Sequence, residues 1–412
     1  MGEVLKAVRD GTWLTPSRML AYALFMGGLS CLVLGYNWTT GLTAMTDRFG
    51  RPLGTDFYGI WTAGRMFLAG DIHGMFDPDR HFAFQRAFMN DPTMPVLGWH
   101  YPPFFLAIAV PLALLPYVAS LLVWQGVTFA LFLQTIRKIV PAHPLALAAA
   151  FGFPAVYVTI GHGHNSFLTA FLLGYGLLLL DRRPVIAGVL IGLLAYKPQF
   201  GLLLPVVLIA GRHWRATIAA TVTVVAMVIT TTMIMGVDVW PAFAAGNHFT
   251  RTFILEQGAT GWHKIQTVFS AVRSFGGSIT LAYAVQGLAT TAVLVSLAGM
   301  TYARADKRLI ASATCIATML ATPYALDYDM TILGVAIAFS VAHGLERGFD
   351  PYTKSLLALV WFLPMVARTL MLGTGVPVGV VVMTLYLVAV VSRALRDNPV
   401  VVGSLKWSFV RG

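Results

Sequence analysis

Along this chain, apolar and polar positions separate into whole segments. An apolar run at 18–36 is followed by a long polar stretch at 37–100. Further runs lie at roughly 102–115, 118–136, 145–160, 165–180, 185–196, 199–211 and 216–235, and a second polar segment covers 236–279. Runs near 280–301, 309–321, 330–343, 355–372 and 376–394 complete the chain. A helix crossing the hydrocarbon core needs about 20 apolar residues, and spanning backbone must satisfy its own hydrogen bonds. The pattern therefore predicts an all-α polytopic membrane protein, a single integral membrane domain over 1–412 with about 12 transmembrane helices. Several runs hold only about 13–16 apolar residues, too few for a comfortable crossing. Short or broken helices survive where protein covers them or a polar cavity adjoins them, so a cavity is expected in the outer leaflet.

Charge fixes an expected orientation. Lys6, Arg9 and Arg18 precede the first run, and Arg212/Arg215, Arg304/Lys307/Arg308, Arg347/Lys354 and Arg393/Arg396/Lys406 punctuate later ones. Basic loops favour the cytoplasm, which puts 37–100, 236–279 and the turn at 322–329 outside, in a bacterial inner membrane. If Arg137/Lys138 and Arg182/Arg183 are also cytoplasmic, 184–211 forms an out-and-back hairpin with Lys197-Pro198 at its tip. Parity then requires 102–115 and 118–136 to make one net crossing. The alternative is a single kinked helix over 184–211.

Composition sharpens this reading. The chain is 57% hydrophobic and 11% charged, against about 25% charged in soluble domains. The formal charge of +11 resides at helix ends, which suits anionic lipid headgroups and gives no basic domain for nucleic acid. Cys31 and Cys315 lie in apolar runs and build neither a disulfide framework nor a zinc site. The basic N-terminus lacks a small-residue cleavage site, so the first run reads as an uncleaved helix.

The candidate chemistry sits at the ends of the runs. In GTDFYGIWTAGRMFLAGD, the stretch 57–69 is amphipathic, and a second such stretch covers 79–90; both are expected as interfacial helices roofing the outer face. Asp56 precedes the first and reads either as its N-cap or as a general base in a membrane-facing cavity. Arg65 reads as a headgroup or phosphate contact. In WHYPP the double proline starts a helix, leaving His100 to bind an anion and Tyr101 to contact sugar or acceptor. Gly161-His162-Gly163-His164-Asn165 is a tight turn offering His162 and His164 to a phosphate and Asn165 to a sugar. No third ligand for a metal is visible there.

Lys197 lies between apolar stretches before Pro198, with Gln199 beside it. It reads as snorkelling to the interface or, as an ionisable group inside an apolar segment, as functional and suited to phosphate. In ATPYALDYDM, Asp329 suits a helix cap. Asp327 is free to orient a histidine, bind a sugar hydroxyl or pair with Lys197, and Tyr328 joins the sugar or acceptor candidates. Glu256, His263, Lys264 and Arg273, around Gly258 and Gly261, suggest a mobile acceptor-side flap, with His263 an acceptor contact.

The order TDFYGIWTAGRMFLAGD, WHYPPFFLAIAVPLALLP, GHGHN, AYKPQ, TPYALDYDM resembles the polytopic glycosyltransferases of family 87, in the GT-C superfamily, over roughly 15–395. The family includes polyprenyl-phosphate-mannose-dependent mannosyltransferases. The resemblance implies a GT-C-like bundle that moves a hexose from a polyprenyl-phosphate carrier to a lipid or glycan acceptor at the outer face. It implies no cofactor and no metal. It also gives Asp56 the place of the family's catalytic base, after the first span. Mycobacterial members use a histidine near the late turn to hold the donor phosphate. Here that turn reads Pro323-Tyr324-Ala325-Leu326-Asp327, which shifts that role to Lys197, His100 or the 162–164 turn and leaves the sugar open. The rival reading is a transporter or flippase of a lipid-linked solute, built on the same intramembrane charges.

Overall fold

A computed structural model describes residues 2–39, 45–95, 97–141 and 143–397; Lys406 lies outside them. The chain begins with α1 (Gly2–Asp10) and α2 (Pro16–Trp38). The first polar segment carries α3 (Thr55–Leu68) and α4 (Pro78–Met89), and after it come α5 (Leu106–Ala113) and α6 (Tyr117–Ile139). There follow α7 (Leu145–Phe151), α8 (Pro154–His162), α9 (Ser166–Leu179), α10 (Pro184–Leu193), α11 (Pro198–Gly201), α12 (Leu204–Ala210) and α13 (Trp214–Met235). The second polar segment holds α14 (Val239–Phe249), a π-helix over Thr250–Glu256 and α15 (Val268–Ser274). The last helices are α16 (Ile279–Tyr302), α17 (Lys307–Ala321), α18 (Thr331–Arg347), α19 (Thr353–Thr374) and α20 (Val378–Arg396).

Among the described residues, seven helices are long and apolar enough to cross a membrane. An eighth crossing is available as α7 and α8, bent by 44°. Four shorter apolar helices, Pro103–Ala113, Ser166–Leu179, Pro184–Tyr196 and Pro198–Ala210, account for four of the five remaining runs of the sequence, and α17 covers the fifth, 309–321. The protein is thus an all-helical polytopic membrane protein, with its dozen apolar helices divided into full crossings and part-depth ones.

The part-depth helices pair into hairpins. Gly188 packs on the Ala216 backbone, and Gly192 packs beside Ala220 and Thr223, so α10 and α13 run in the same direction. Only residues 211–213 separate α12 from α13, with Arg212 in the left-handed region at φ 56°. α12 therefore runs back against α13, and 184–211 goes out and returns, with Lys197 at the tip. The hairpin reading of this segment describes the fold; the single kinked helix does not. A second hairpin joins α8 to α9 through His162–Asn165. A third joins α17 to α18 through residues 322–330.

Hydrogen bonds to the long helices give the depth of these tips. The Trp124 indole and the Gln125 amide of α6 donate to the Gly163 and His164 carbonyls, at 3.1 and 3.2 Å, about two turns (~11 Å) below the start of α6. Gln286 and Thr290 of α16 donate to the Leu320 and Ala321 carbonyls, at 2.9 and 2.7 Å, up to about three turns (~16 Å) below its start.

The opposite end of the bundle is basic and laced with ion pairs. Lys307 meets Asp181 at 2.9 Å, Arg393 bridges Asp350 (2.5 Å) and Asp397 (2.8 Å), and Arg308 pairs with Glu346. The Tyr352 N–H donates to the Arg9 carbonyl at 2.6 Å, bringing the N-terminal helix to that end. Arg9, Lys307, Arg308, Arg347 and Arg393, assigned to one side by the positive-inside argument, do share one end.

The first polar segment covers the other end more intimately than interfacial helices require. In α3, Phe57 through Gly64 and Met66 are all buried. Gly64 lies against the Ala109 carbonyl of α5, where a Cβ would collide. The second polar segment is likewise seated and is not a free flap. Phe243 and Phe249 pack on Phe76 and Phe82 at centroid distances of 5.9 and 6.5 Å, and Ile265 bridges to Leu326.

Because a Cβ on Gly188 would meet the Ala216 carbonyl, Gly188→Ala should overpack the α10–α13 contact by about 1–3 kcal/mol. Thermal unfolding in detergent should show a lowered Tm; an unchanged Tm would speak against this close approach.

Candidate active site

Beneath the two polar segments, the three hairpin tips line a cavity of about 1070 Å³. The tips are joined by side chains, which satisfy helix ends that lipid cannot. Thr159 and Thr331 share a hydrogen bond at 2.8 Å, tying α8 to α18. The Tyr196 hydroxyl donates to the Asn165 carbonyl at 3.2 Å, tying the Lys197 tip to the 162–165 turn. Gly163 caps α8 with φ 61°, and a Cβ there would strike Phe57.

At the centre is a buried ion pair. The Lys197 ammonium donates to Asp329 Oδ1 at 2.7 Å, and both residues are buried. The same Oδ1 accepts from Ser166 at 3.2 Å, while Asp329 Oδ2 accepts the Leu326 N–H at 3.1 Å. The Ser166 hydroxyl also contacts His164 Nδ1 at 2.7 Å, and His164 Nε2 lies 3.4 Å from the ammonium. Tyr328 stacks on the His164 ring at 3.6 Å between centroids. Sequence reasoning gave Asp329 only a capping role and offered Asp327 to Lys197. The structure reverses the pairing: Asp329 caps with one oxygen and holds Lys197 with the other. Asp327 instead lies 3.7 Å from the Arg368 guanidinium, with His162 as an electrostatic neighbour.

Asp56 stands apart from this ion pair. Gly54, at φ 60°, is the N-cap of α3, so Asp56 stands in the first turn with its carboxyl free of capping and the N-N-terminal dipole end beside it. It lines the cavity. Its Oδ2 is buried without a hydrogen-bond partner among the described residues. Burial raises its pKa to about 7, against partial relief from Lys197 and the Tyr328 hydroxyl. Next to it, Thr55 Oγ1 lies 2.9 Å from His162 Nδ1.

The other sequence candidates divide. His100, Tyr101, His162, His164, Lys197, Gln199, Asp327 and Tyr328 all line the cavity with Asp56. His100 Nδ1 contacts the Thr250 hydroxyl at 2.6 Å, fastening the π-helix to the first polar segment. Burial lowers the His100 pKa to about 4, so its ring is uncharged near neutral pH. Arg65 is exposed and stands over the Trp61 ring at 5.6 Å, away from the cavity. Asn165 is wholly buried behind the turn and does not line it. His263 is outside the lining, whereas its neighbour Lys264 is part of it. Glu256 and Arg273 serve the loop itself: Glu256 accepts from Arg251 and Tyr283 at 2.8 and 2.9 Å, and Arg273 donates to the Glu256 and Gly277 carbonyls.

Sequence reasoning missed Arg51 and Thr250 in the lining and Ser166 and Arg368 behind it. Arg368 had a legible signal, being a charge inside the apolar run 355–372. Among the described residues no cluster of three His, Cys, Asp or Glu side chains has metal-holding geometry.

Fold and cavity together define a polytopic membrane protein with a covered polar chamber at one end. Residues 99–323, more than half of the chain, match the model of glycosyltransferase family 87. The chain belongs to glycosyltransferase family 87, of GT-C type, and is a glycosyltransferase acting on a sugar donor and an acceptor. No curated protein and no solved structure matches it. The matched residues include His100, the 162–165 turn, Lys197 and Lys264. Asp56 and Asp327–Asp329 fall outside them.

A buried ion pair stripped of one partner costs about 3–5 kcal/mol, while removing both costs far less. Lys197→Met and Asp329→Asn should each lower Tm markedly, and the double variant should recover most of the loss. Additive losses in thermal unfolding would contradict the pairing.

Proposed function

We propose that this enzyme transfers a hexose, with mannose one candidate, from a polyprenyl-phosphate carrier to an acceptor hydroxyl at the extracytoplasmic face of a bacterial inner membrane. The observation that carries the reading is Asp56, a desolvated carboxyl with an unpartnered oxygen in a cavity that also holds cations. The family membership supplies the reaction class.

In this reading the acceptor hydroxyl gives its proton to Asp56 as its oxygen attacks the anomeric carbon. The bond from that carbon to the phosphate oxygen breaks, and polyprenyl phosphate leaves. The growing charge on the phosphate is met by cations fixed around the cavity, Lys197 from within and Arg51 and Lys264 from the loops. Preorganised charge of this kind acts strongly in a chamber shut off from water. Attack from the face opposite the leaving group inverts the anomeric centre. His100 and His162, each engaged through Nδ1, offer their other ring nitrogen to the phosphate, while His164 lies between Lys197 and Ser166. Tyr101, Gln199 and Tyr328 offer hydroxyl and amide contacts to the sugar or acceptor. The aromatic residues of α4, α14 and the π-helix that line the cavity, Phe82, Phe243, Phe249 and Phe253, suit a polyprenyl chain, so the donor comes from the lipid side.

The test is transfer from a labelled polyprenyl-phosphate sugar by the purified protein, with a panel of lipid and glycan acceptors. General-base loss typically costs about 10²–10⁴-fold, so Asp56→Asn should lose at least about 100-fold in kcat/KM. The base works deprotonated, so kcat/KM in the wild type should rise with pH through about 7 and fall away below it. An Asp56→Asn enzyme with undiminished transfer would remove the base. No transfer from any polyprenyl-phosphate sugar, with transfer from another donor class, would remove the carrier.

A further inference from the structure

One ammonium in the chamber faces two carboxylates. Lys197 is bonded to Asp329 and makes no ion pair with Asp56, although it is the foremost charge acting on Asp56. Asp329 is held by three donors from three segments: Lys197 at the second tip, Ser166 at the start of α9, and the Leu326 N–H in its own turn. On its far side the ammonium meets His164 Nε2. Asp56 has no comparable set, its Oδ2 being buried without a hydrogen-bond partner among the described residues.

We infer that Asp329 is a positioning residue: it holds the Lys197 ammonium against the 164–166 turn and so leaves Asp56 as the chamber's carboxylate without a cation of its own. The inference rests on Asp56 being the base proposed above and explains why it is a competent one. A carboxylate clasped by an ammonium in low dielectric is a weak base, because protonating it breaks the pair. A desolvated carboxylate with no ion-pair partner accepts a proton near neutral pH, where general-base catalysis is most effective. A buried ion pair is a poor device for stability alone. Here it determines which of two neighbouring carboxylates remains available. Asp327 is occupied separately by Arg368. The other ionisable groups facing Asp56 are the uncharged hydroxyls of Tyr101 and Tyr324 and, from the loop side, Lys264.

Deleting the Asp329 charge has two effects of one sign. It removes a negative neighbour from Asp56 and frees the ammonium to approach it, and both lower the pH at which Asp56 protonates. Deleting Lys197 as well removes the larger of the two influences on Asp56 and reverses the direction.

The experiment reads Asp56 without substrate. Dicyclohexylcarbodiimide modifies protonated carboxyls, so its reaction with the full-length protein in detergent can be followed across pH, with mass spectrometry locating the adduct on Asp56. The wild-type midpoint is expected near 7. In Asp329→Asn the midpoint should fall by at least about one pH unit, a tenfold change in the protonation ratio. Asp329→Glu should restore it, and Lys197→Met/Asp329→Asn should bring it to or above the wild-type value. A folded Asp329→Asn protein with an unmoved or raised midpoint overturns the inference. Should that variant not fold, the double variant decides: a midpoint below wild type overturns it equally. Because no transfer is measured, an active Asp56→Asn enzyme would remove the base while leaving this result standing.

Discussion

Helix ends inside a bilayer expose N–H and C=O groups that lipid cannot satisfy, and three hairpins of this chain end there. Two of the tips meet the long helices about 11–16 Å from the starts of those helices, and the Lys197 tip is tied to one of them, at a depth where a carboxylate or an ammonium is costly unless something answers it. The tips answer one another. Lys197 from one hairpin meets Asp329 from another, Ser166 and His164 from the third complete the contact, and Thr159, Thr331 and Tyr196 close the seams. The short helices, otherwise a weakness in a membrane protein, are thus what create the chamber.

That arrangement accounts for the two polar segments. A chamber below the membrane surface needs a roof, and both segments are packed into one. The buried α3 delivers Asp56, and the π-helix over Thr250–Glu256 is fastened to His100. π-Helices often mark functional positions, and this one brings Thr250, Arg251 and Phe253 to the cavity wall. The lining therefore runs from aromatic to ionic, as a ligand with an apolar chain and a phosphate-linked sugar would need. Glycosyl transfer is the chemistry of the family to which the chain belongs, and the proposed donor fits the chamber's two-sided character.

Much of this was legible in the sequence, because membrane helices announce themselves by run length and charge. The short runs, the hairpin at 184–211 and the exceptional position of Lys197 all follow from the cost of lipid exposure. Asp56 could be singled out, but its availability depends on Gly54 taking the cap, a matter of one backbone angle. Partner choice was not legible. Asp327 and Asp329 are two residues apart, and only the turn over Asp327–Met330 decides which faces Lys197 and which faces Arg368. The seated second segment was hidden for a similar reason: its glycines suggest mobility, while Phe243, Phe249 and Ile265 find partners far away in sequence. Arg65 and Asn165 looked chemical by composition, and packing turns one outward and buries the other behind the turn.

The chamber keeps Lys197 on Asp329, and in the proposed reading this leaves Asp56 open to a ligand. The most direct measurement is a cryo-electron microscopy structure in lipid nanodiscs with polyprenyl phosphate bound, resolved well enough to place carboxylates. The expected result is the phosphate in the chamber beside Asp56, the polyprenyl chain along Phe243, Phe249 and Phe253, and Lys197 still within ion-pair distance of Asp329. Lys197 clasping Asp56, with the phosphate outside the chamber, would contradict it.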